Sequence, residues 1–250
     1  MPDLKFDSFI YDKDGSTQFL DEIKNDDIYF SIYYEHMLCP ECKTAKVTRS
    51  HSKNGKLHIK TSQNSKHGMV NDKPCYLSQP PAPQYAINEH LNNLRNSHNL
   101  QNKLKTIIRI LKRRDFFQII NTHNESSSDA LSLTYISKTK TIKKNAVIPK
   151  YSINQWYYIP ENEIVAIYGK VKIEVRIIPN NNNTGVNKYW RFYNEKTGKM
   201  ITSMWANKYP EDITDGIYYF ATFGKKEQYK SFYNLVPFDA SEGISVEKIE

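Results

Sequence analysis

The chain contains the stretch IVAIYGKVKIEVR at residues 164–176, whose second half alternates apolar and polar side chains. Alternation with a period of two is typical of a β-strand that covers a core with one face. The face expected to be buried carries Val165, Ile167, Val171, Ile173 and Val175. The opposite face carries Tyr168, Lys170, Lys172 and Arg176. This stretch therefore predicts a long strand with one aromatic and basic face.

Shorter strand-like segments follow this stretch, and helical patterns are rare after Ile153. Strands are predicted at 188–193, 200–206, 217–223 and 231–236, because these segments are rich in aromatic and β-branched residues. The turn 195–198 joins the first two, and Gly224 to Lys226 is expected to join the last two. Residues 240–250 are expected to form a loose tail. A β-domain is thus predicted over residues 151–250.

In the order of its parts, segment 163–238 resembles an OB-fold, with Gly169 in the middle of the first strand. The resemblance implies an antiparallel β-barrel that binds single-stranded nucleic acid on its second and third strands, where aromatic rings stack on bases and basic side chains follow phosphates. Alternation in the second strand predicts that Trp190 and Phe192 are buried. The candidate binding residues of the barrel are Tyr168, Lys170, Lys172, Arg176, Tyr189, Arg191 and Tyr193.

Aromatic residues in strands have a second interpretation. They are common in cores and in cross-strand pairs, because a ring fits a half-buried pleated surface. A core position is the expectation for any single ring, such as Trp205 or Tyr218. Only the pattern as a whole favours binding.

The middle of the chain, residues 80–150, is predicted to be helical and basic. Pro80-Pro81-Ala82-Pro83 marks the first boundary, because neither a helix nor a central strand accepts such a run. Apolar residues then recur at helical spacing over 86–96 and 100–122. Further candidate nucleic-acid contacts on this segment are Lys103, Arg109 and Arg113. The same charges also suit a solvated helix face.

Residues 1–79 contain all three cysteines of the chain, two of them as Cys39-Pro40-Glu41-Cys42. Three cysteines cannot form a closed set of disulfides, and a Cys-x-x-Cys turn aims two thiolates at one metal ion. Cys75 supplies the third ligand. The fourth is His67, in a loop before Cys75, or His58, in a predicted strand, and we favour His67. The expected metal site is Cys39, Cys42, His67 and Cys75, holding a structural zinc ion.

The segment leading into the cysteines is also predicted to be extended. Residues 27–34 are rich in β-branched and aromatic side chains, which predicts a strand. After Cys42, residues 43–50 and 56–60 flank Asn54-Gly55 and predict a short hairpin. Together these elements predict a small α/β zinc finger.

This finger resembles the N-terminal zinc finger of the CoiA-like family of competence proteins. The residues that carry the resemblance are Tyr33-Tyr34, Cys39-Pro40-Glu41-Cys42, Lys56 to Lys60, His67 and Cys75. Family members continue into a restriction-like nuclease domain, which needs clustered carboxylates and a lysine around Mg²⁺. The resemblance thus implies an alternative, a zinc-finger-containing Mg²⁺-dependent nuclease, although Glu174-Val175-Arg176 is the nearest such string.

Composition agrees with a cytoplasmic polyanion-binding protein. The formal net charge is +8, and no apolar run reaches the ~20 residues that a membrane-spanning helix needs. The sequence therefore predicts an α+β protein of three regions: a zinc finger (1–79), a basic helical region (80–150) and an OB-like barrel (151–250). The expected function is binding of single-stranded DNA in replication, recombination or repair, without catalytic turnover. The alternatives are the nuclease and a protein–protein adaptor.

Overall fold

The computed structural model describes residues 8–51, 57–70, 73–116, 131–137, 142–179, 185–209 and 213–249. The fold is mixed α+β, as the sequence predicts. Contacts divide the chain into an N-terminal unit, Met1–Pro81 with Arg113–Val147, and a C-terminal unit, Ala82–Lys112 with Ile148–Glu250. This division differs from the three predicted regions, because the helical segment is shared between the two units. Whether the three regions fold as domains stays a prediction.

Short strands and helical turns form the N-terminal unit. Its described strands are β1 (Ser8–Tyr11), β2 (Thr17–Phe19), β3 (Met37–Leu38), β4 (Val47–His51), β5 (Leu57–Thr61), β6 (Met69–Val70), β7 (Lys73–Pro74), β8 (Ser132–Ile136) and β9 (Lys143–Val147). They pair as one three-stranded sheet, β2-β1-β3, and three hairpins, β4-β5, β6-β7 and β8-β9. The hairpin predicted after Cys42 is confirmed, with His51 opposite Leu57. Its Asn54-Gly55 turn lies outside the described residues.

The prediction of a strand over residues 27–34 is wrong. The segment forms helix α1 (Asp26–Ile28) and continues as one turn of π-helix, Tyr29–Tyr33. Asn25 starts the helix, since its side chain accepts hydrogen bonds from the backbone N–H groups of Asp27 and Ile28. Tyr29 and Tyr33 are buried four residues apart, so the apolar pattern that fits the structure has a helical period.

The core of the N-terminal unit surrounds the cysteines. Its buried members are Phe9, Ile23, Tyr29, Tyr33, Met37, Cys39, Ala45, Val47, Ile59 and Cys75. Phe9 and Tyr11 both make edge contacts with the Tyr33 ring, at centroid distances of 5.3 Å. Two of the three cysteines thus belong to the packed interior of this unit.

The C-terminal unit contains helix α2 (Gln84–Asn96) and helix α3 (Leu100–Phe116) as far as Lys112. Both predicted helices are confirmed, except that residues 117–122 of the second lie outside the described residues. Their buried residues recur at helical spacing, as at Leu100, Leu104 and Ile108. Hydrogen bonds attach them to the strands of the unit. Gln84 Nε2 donates to Ile164 O at 3.2 Å, and Gln84 Oε1 accepts from Ile164 N at 2.8 Å, next to the start of the first long strand. Gln101 Nε2 donates to Ile244 O at 2.6 Å.

The strands of this unit form a closed five-stranded barrel with two added edge strands. They are β10 (Lys150–Ser152), β11 (Val165–Pro179), β12 (Val186–Asn194), β13 (Met200–Trp205), β14 (Gly216–Tyr229), β15 (Phe232–Pro237) and β16 (Ile244–Lys248). The barrel runs β11-β12-β13-β15-β14 and closes because β11 also pairs with β14. Four of its contacts are antiparallel, and β13 meets β15 in parallel. The predicted barrel is therefore confirmed, although it is not wholly antiparallel.

The long strand β11 makes closure possible by pairing on both sides. Residues 165–173 pair with β14, and residues 171–179 pair with β12. Gly169 lies in the first half, where an added Cβ would stand 2.9 Å from Ile153 Cγ2. Glycine thus lets Ile153 pack against the strand. The barrel interior is filled by alternating residues, with Trp190 and Phe192 fully buried as predicted.

Two details of the predicted strands are wrong. Gly224 to Lys226 do not form a turn but lie inside β14, and the chain reverses instead at Lys230, which has a φ of 55°. Residues 244–248 are not a loose tail, since β16 pairs with β14 over five positions. Among the described helices, none combines the length and apolarity needed to span a membrane.

Candidate functional site

The Cys39–Cys42 turn follows directly from β3. Cys39 N donates to Ala45 O at 2.7 Å, and Lys43 N donates to Cys39 O at 2.9 Å. Lys43 has a φ of 54°, in the left-handed region that reverses the chain after Cys42. These bonds bring the thiols of Cys39 and Cys42 to the same side of the turn.

The four predicted ligands lie together. Their donor atoms, the three Sγ atoms and a ring nitrogen of His67, are all within 4.8 Å of one another. Cys39 Sγ and Cys75 Sγ are 3.8 Å apart, and Cys42 Sγ and His67 Nδ1 are 3.5 Å apart. A tetrahedron with ordinary Zn–S and Zn–N bonds has edges of ~3.8 Å between two sulfurs and ~3.6 Å between sulfur and nitrogen. The two measured separations fit these edges.

His67, rather than His58, completes the cluster. His58 lies in β5 and is only 9% exposed, but it does not belong to the group of converging donors among the described residues. His67 Nδ1 points towards Cys42, while Nε2 lies 2.9 Å from Thr61 Oγ1. A hydrogen bond at the second nitrogen fixes the orientation of a ligating imidazole and the position of its proton.

Burial, neighbouring side chains and backbone N–H groups shift the pKa values of the three thiols. The Cys75 side chain and burial both raise the pKa of Cys39, and the hydrogen bond from Cys39 lowers the pKa of Cys75. Burial alone raises the pKa of Cys42, but N–H donors of Ala45, Thr44 and Gly68 outweigh it, so its pKa is lowered. N–H donors stabilise a thiolate, which is the form that binds a metal ion.

Gly68 contributes to the site in a way that the sequence analysis missed. Its N–H faces Cys42, its carbonyl accepts from Cys75 N at 3.2 Å, and an added Cβ would stand 2.8 Å from Thr44 Oγ1. A glycine directly after a candidate histidine ligand is the signal that points to this close approach. The loop that holds His67 therefore packs closely against the Cys39–Cys42 turn.

The arrangement can hold one metal ion in a shell made of protein atoms. All three cysteines are free of disulfides, Cys39 and Cys75 are buried, and Cys42 and His67 are half-buried. Three sulfurs and one imidazole nitrogen are a donor set typical of tetrahedral zinc. The donor types and the two tetrahedral edges fit such an ion.

A second candidate site is the outer face of the barrel, defined here as the outward residues within 172–176 of β11, 189–193 of β12 and 203–205 of β13. The cross-strand register sets Lys172 opposite Tyr193, Glu174 opposite Arg191, and Arg176 opposite Tyr189. On the next strand, Tyr189 lies opposite Trp205, and Arg191 lies opposite Ser203. The outer face thus brings together five of the predicted binding residues: Lys172, Arg176, Tyr189, Arg191 and Tyr193.

Trp205 and Glu174 are members of the outer face that the sequence analysis did not select. Trp205 is 57% exposed, which contradicts its expected core position, and its ring lies 5.3 Å from that of Tyr189. The adjacent Met204 is 1% exposed, so the alternation of buried and exposed residues along β13 is the sequence signal for an exposed Trp205. Two neighbouring rings therefore form a platform at one end of this face.

Glu174 connects the cations and the phenol of the outer face. Tyr193 Oη donates to Glu174 Oε2 at 2.6 Å, and Arg176 forms an ion pair with Oε1. The pKa of the Tyr193 phenol is raised because its hydroxyl bonds the Glu174 carboxylate, against a smaller opposing effect of Arg191. The charged groups here form a network, whereas the sequence analysis treated each of them separately.

The remaining predicted nucleic-acid residues lie elsewhere. Tyr168 is 6% exposed, so the prediction that its ring faces solvent is wrong, since the start of β11 is covered on both faces. Lys170 pairs with Glu195 at 2.9 Å. On α3, Arg109 is exposed and Lys103 is half-buried, while the side chain of Arg113 lies outside the described residues. Tyr168, Lys170, Lys103 and Arg109 are therefore not part of the outer face.

Comparison of the chain with protein-family models, with curated proteins and with solved structures gave no match. The resemblance of residues 33–75 to CoiA-like zinc fingers therefore stays a prediction from the sequence.

Proposed function

We propose that the protein binds single-stranded DNA along the outer face of its barrel, without catalytic turnover. The observation that carries this proposal is the platform formed by Tyr189 and Trp205 beside the cations Arg191, Arg176 and Lys172. Exposed rings next to positive charge suit a single strand, because bases stack on the rings while phosphates meet the cations. Each stacked base contributes ~1–3 kcal/mol.

The strand order supports the further proposal that the barrel is an OB-fold. It has a long first strand that pairs on both sides, a tight turn between its second and third strands, and closure in the order β11-β12-β13-β15-β14. OB-folds bind oligonucleotides on their second and third strands, which correspond here to β12 and β13. The platform lies on these two strands.

We also propose that the cluster of Cys39, Cys42, His67 and Cys75 holds a structural zinc ion. Four protein donors would fill a tetrahedral shell, whereas a catalytic zinc keeps one position for water or substrate. Zinc would then contribute folding energy to the N-terminal unit, because its ligands are part of the core there. The measurement is one zinc ion per chain by elemental analysis of protein purified without added metal.

Binding is tested with a fluorescent oligothymidylate of about ten nucleotides, titrated at several salt concentrations. Arg176 is already paired with Glu174, so Lys172 and Arg191 are the cations expected to neutralise one phosphate each. The slope of log affinity against log salt is then about −1.4, since each contact to a single strand contributes about −0.7. Tyr189→Ala and Trp205→Ala should each weaken binding about tenfold. The control is Tyr229→Ala on β14, whose side chain is 56% exposed, close to the 57% of Trp205.

The salt series also separates this function from the protein–protein adaptor. An adaptor that docks a partner on its rings would bind with little dependence on salt, and it would not bind the oligonucleotide. Absence of salt-dependent binding by the wild type refutes the proposal. Equal losses in Tyr229→Ala and Tyr189→Ala also refute it, because the platform would then have no special role.

A further inference from the structure

A carboxylate lies in the middle of the outer face, where a site for phosphates alone would have none. Glu174 is flanked along β11 by Lys172 and Arg176 and lies opposite Arg191 on β12. Its side chain is 22% exposed, so it is partly open to a ligand on this face. Any explanation of ligand binding here has to include its negative charge.

Two hydrogen bonds hold the Glu174 carboxylate in place. Tyr193 Oη donates to one oxygen at 2.6 Å, and the Arg176 guanidinium donates to the other. An ionised carboxylate has about four lone-pair positions, so about two remain for further donors. The group is therefore oriented and can still accept hydrogen bonds from a ligand.

The charge of Glu174 selects the part of a nucleotide that can approach it. A phosphate is repelled and lacks N–H donors, whereas a base edge is neutral and can carry them. Guanine is the DNA base with two neighbouring donors on its pairing edge, N1–H and the N2 amino group. Such a pair matches the two oxygens of a carboxylate, as a bidentate contact does in other base recognition.

The register gives the base a place to stack while it reaches Glu174. Tyr189 lies opposite Arg176, so Tyr189 and Glu174 are diagonal neighbours on adjacent strands. Diagonal neighbours are ~7–8 Å apart, within reach of a purine that overlaps the tyrosine ring. The Trp205 ring, 5.3 Å from Tyr189, extends the stacking surface for the adjacent base.

We propose that Glu174 makes the outer face selective for guanine, with Tyr189 as its stacking platform. This inference rests on the proposed binding of single-stranded DNA. Lys172 and Arg191 then serve the phosphates on either side, and Arg176 and Tyr193 act as positioning residues for the carboxylate. Guanine selectivity then depends on the Glu174 side chain alone, so a substitution of Glu174 removes the selectivity and leaves the cations in place.

The test uses three labelled oligonucleotides of about ten residues: all thymidine, the same with one central deoxyguanosine, and the same with one central deoxyinosine. Deoxyinosine keeps N1–H but lacks the N2 amino group. The wild type should bind the guanine oligonucleotide about tenfold more tightly than the other two. Glu174→Gln should lose this preference and bind oligothymidylate at least as well, because a negative charge is removed. Glu227→Gln, on β14, is the matched control and should keep it.

The outcomes separate this inference from the proposed function. Tight, salt-dependent binding of oligothymidylate with no gain from guanine overturns the selectivity and leaves the function standing. A guanine preference that persists in Glu174→Gln also overturns it. If no oligonucleotide binds, the proposed function fails and the selectivity fails with it. Tryptophan fluorescence checks that each variant is folded, since all three tryptophans, Trp156, Trp190 and Trp205, lie in the C-terminal unit.

Discussion

Thr61 Oγ1 lies 2.9 Å from His67 Nε2, on the side of the imidazole ring opposite to Cys42. If His67 Nδ1 ligates the proposed zinc ion, the proton of the neutral ring is on Nε2, and the threonine hydroxyl accepts it. Thr61→Val keeps the shape of the side chain and removes this acceptor. We expect zinc affinity to fall about tenfold, measured by competition with a chromogenic chelator. Thr48→Val on β4 serves as the control, and equal affinities in the two variants would contradict the prediction.

The identity of the fourth ligand is tested by comparing two histidines. His67→Ala should lose the metal, because it removes one of four donors, whereas His58→Gln should retain one ion per chain. The measurement is elemental analysis after gel filtration. Metal retained in His67→Ala and lost in His58→Gln would show that His58, and not His67, is the fourth ligand.

Removal of the metal should destabilise the N-terminal unit. Cys39 and Cys75 are fully buried in its core, and without a cation their sulfurs are left close together there. A chelator should therefore make this unit sensitive to protease, with cleavage sites mapped by mass spectrometry to residues before Pro81. Tryptophan fluorescence should change little, since the three tryptophans lie in the other unit. Protease resistance that is unchanged by complete metal removal would be the contrary result.

Gly243 supports the turn that precedes β16. An added Cβ would lie 2.7 Å from Asp239 N and also too close to Asp239 O, and backbone atoms cannot move aside cheaply. Gly243→Ala should lower the free energy of unfolding by ~1–3 kcal/mol, followed by tryptophan fluorescence in urea. Gly198→Ala is the comparison, because its added Cβ meets no atom within 4 Å and only the left-handed φ of 66° opposes it, at ~1 kcal/mol. A larger loss at Gly198 would contradict the prediction.

The same turn depends on the charge of Asp239. Burial raises the pKa of this carboxyl, but hydrogen bonds from Glu242 N, Ser241 Oγ and Ser241 N, with Arg95 nearby, outweigh burial and lower it below 3.8. A lowered pKa in the folded state means that the stabilisation is complete above pH ~4 and is lost as the pH falls through the folded value. Wild type should be more stable than Asp239→Asn at pH 7, and the difference should shrink at pH 3. A difference that stays constant with pH would contradict this assignment.

Local patterns predicted much of this structure, and their failures have physical causes. Alternation along β12 correctly assigned Trp190 and Phe192 to the core, because a strand with one covered face has a period of two. The richness of residues 27–34 in aromatic and β-branched side chains wrongly predicted a strand, because the Asn25 cap and the spacing of Tyr29 and Tyr33 favour a helix. Intrinsic strand preference is weak, so a helix cap and the burial of two rings at helical spacing override it.

The candidate metal site was predictable because its chemistry is local and rare. A Cys-x-x-Cys turn aims two thiolates at one point, and the single remaining cysteine leaves little choice. The outer barrel face was only partly predictable. Its central feature, the hydrogen bond from Tyr193 to Glu174, depends on the register between β11 and β12, which a pattern within one strand does not contain. Tyr168 was misassigned because both faces of β11 are covered at its start.

The parallel contact between β13 and β15 gives the barrel a seam. One residue pair, Ser203 with Asn234, defines its register, and side-chain bonds reinforce it: Ser203 Oγ to Asn234 Oδ1 at 2.7 Å and Thr202 Oγ1 to Tyr233 O at 3.0 Å. By contrast, β11 and β12 are paired over nine positions. We therefore expect thermal opening of the barrel to begin between β13 and β15, where the fewest backbone bonds must break. Opening at this seam would leave an open sheet with β13 and β15 as its new edges, so amide hydrogens along these edges should exchange with solvent before those of β11.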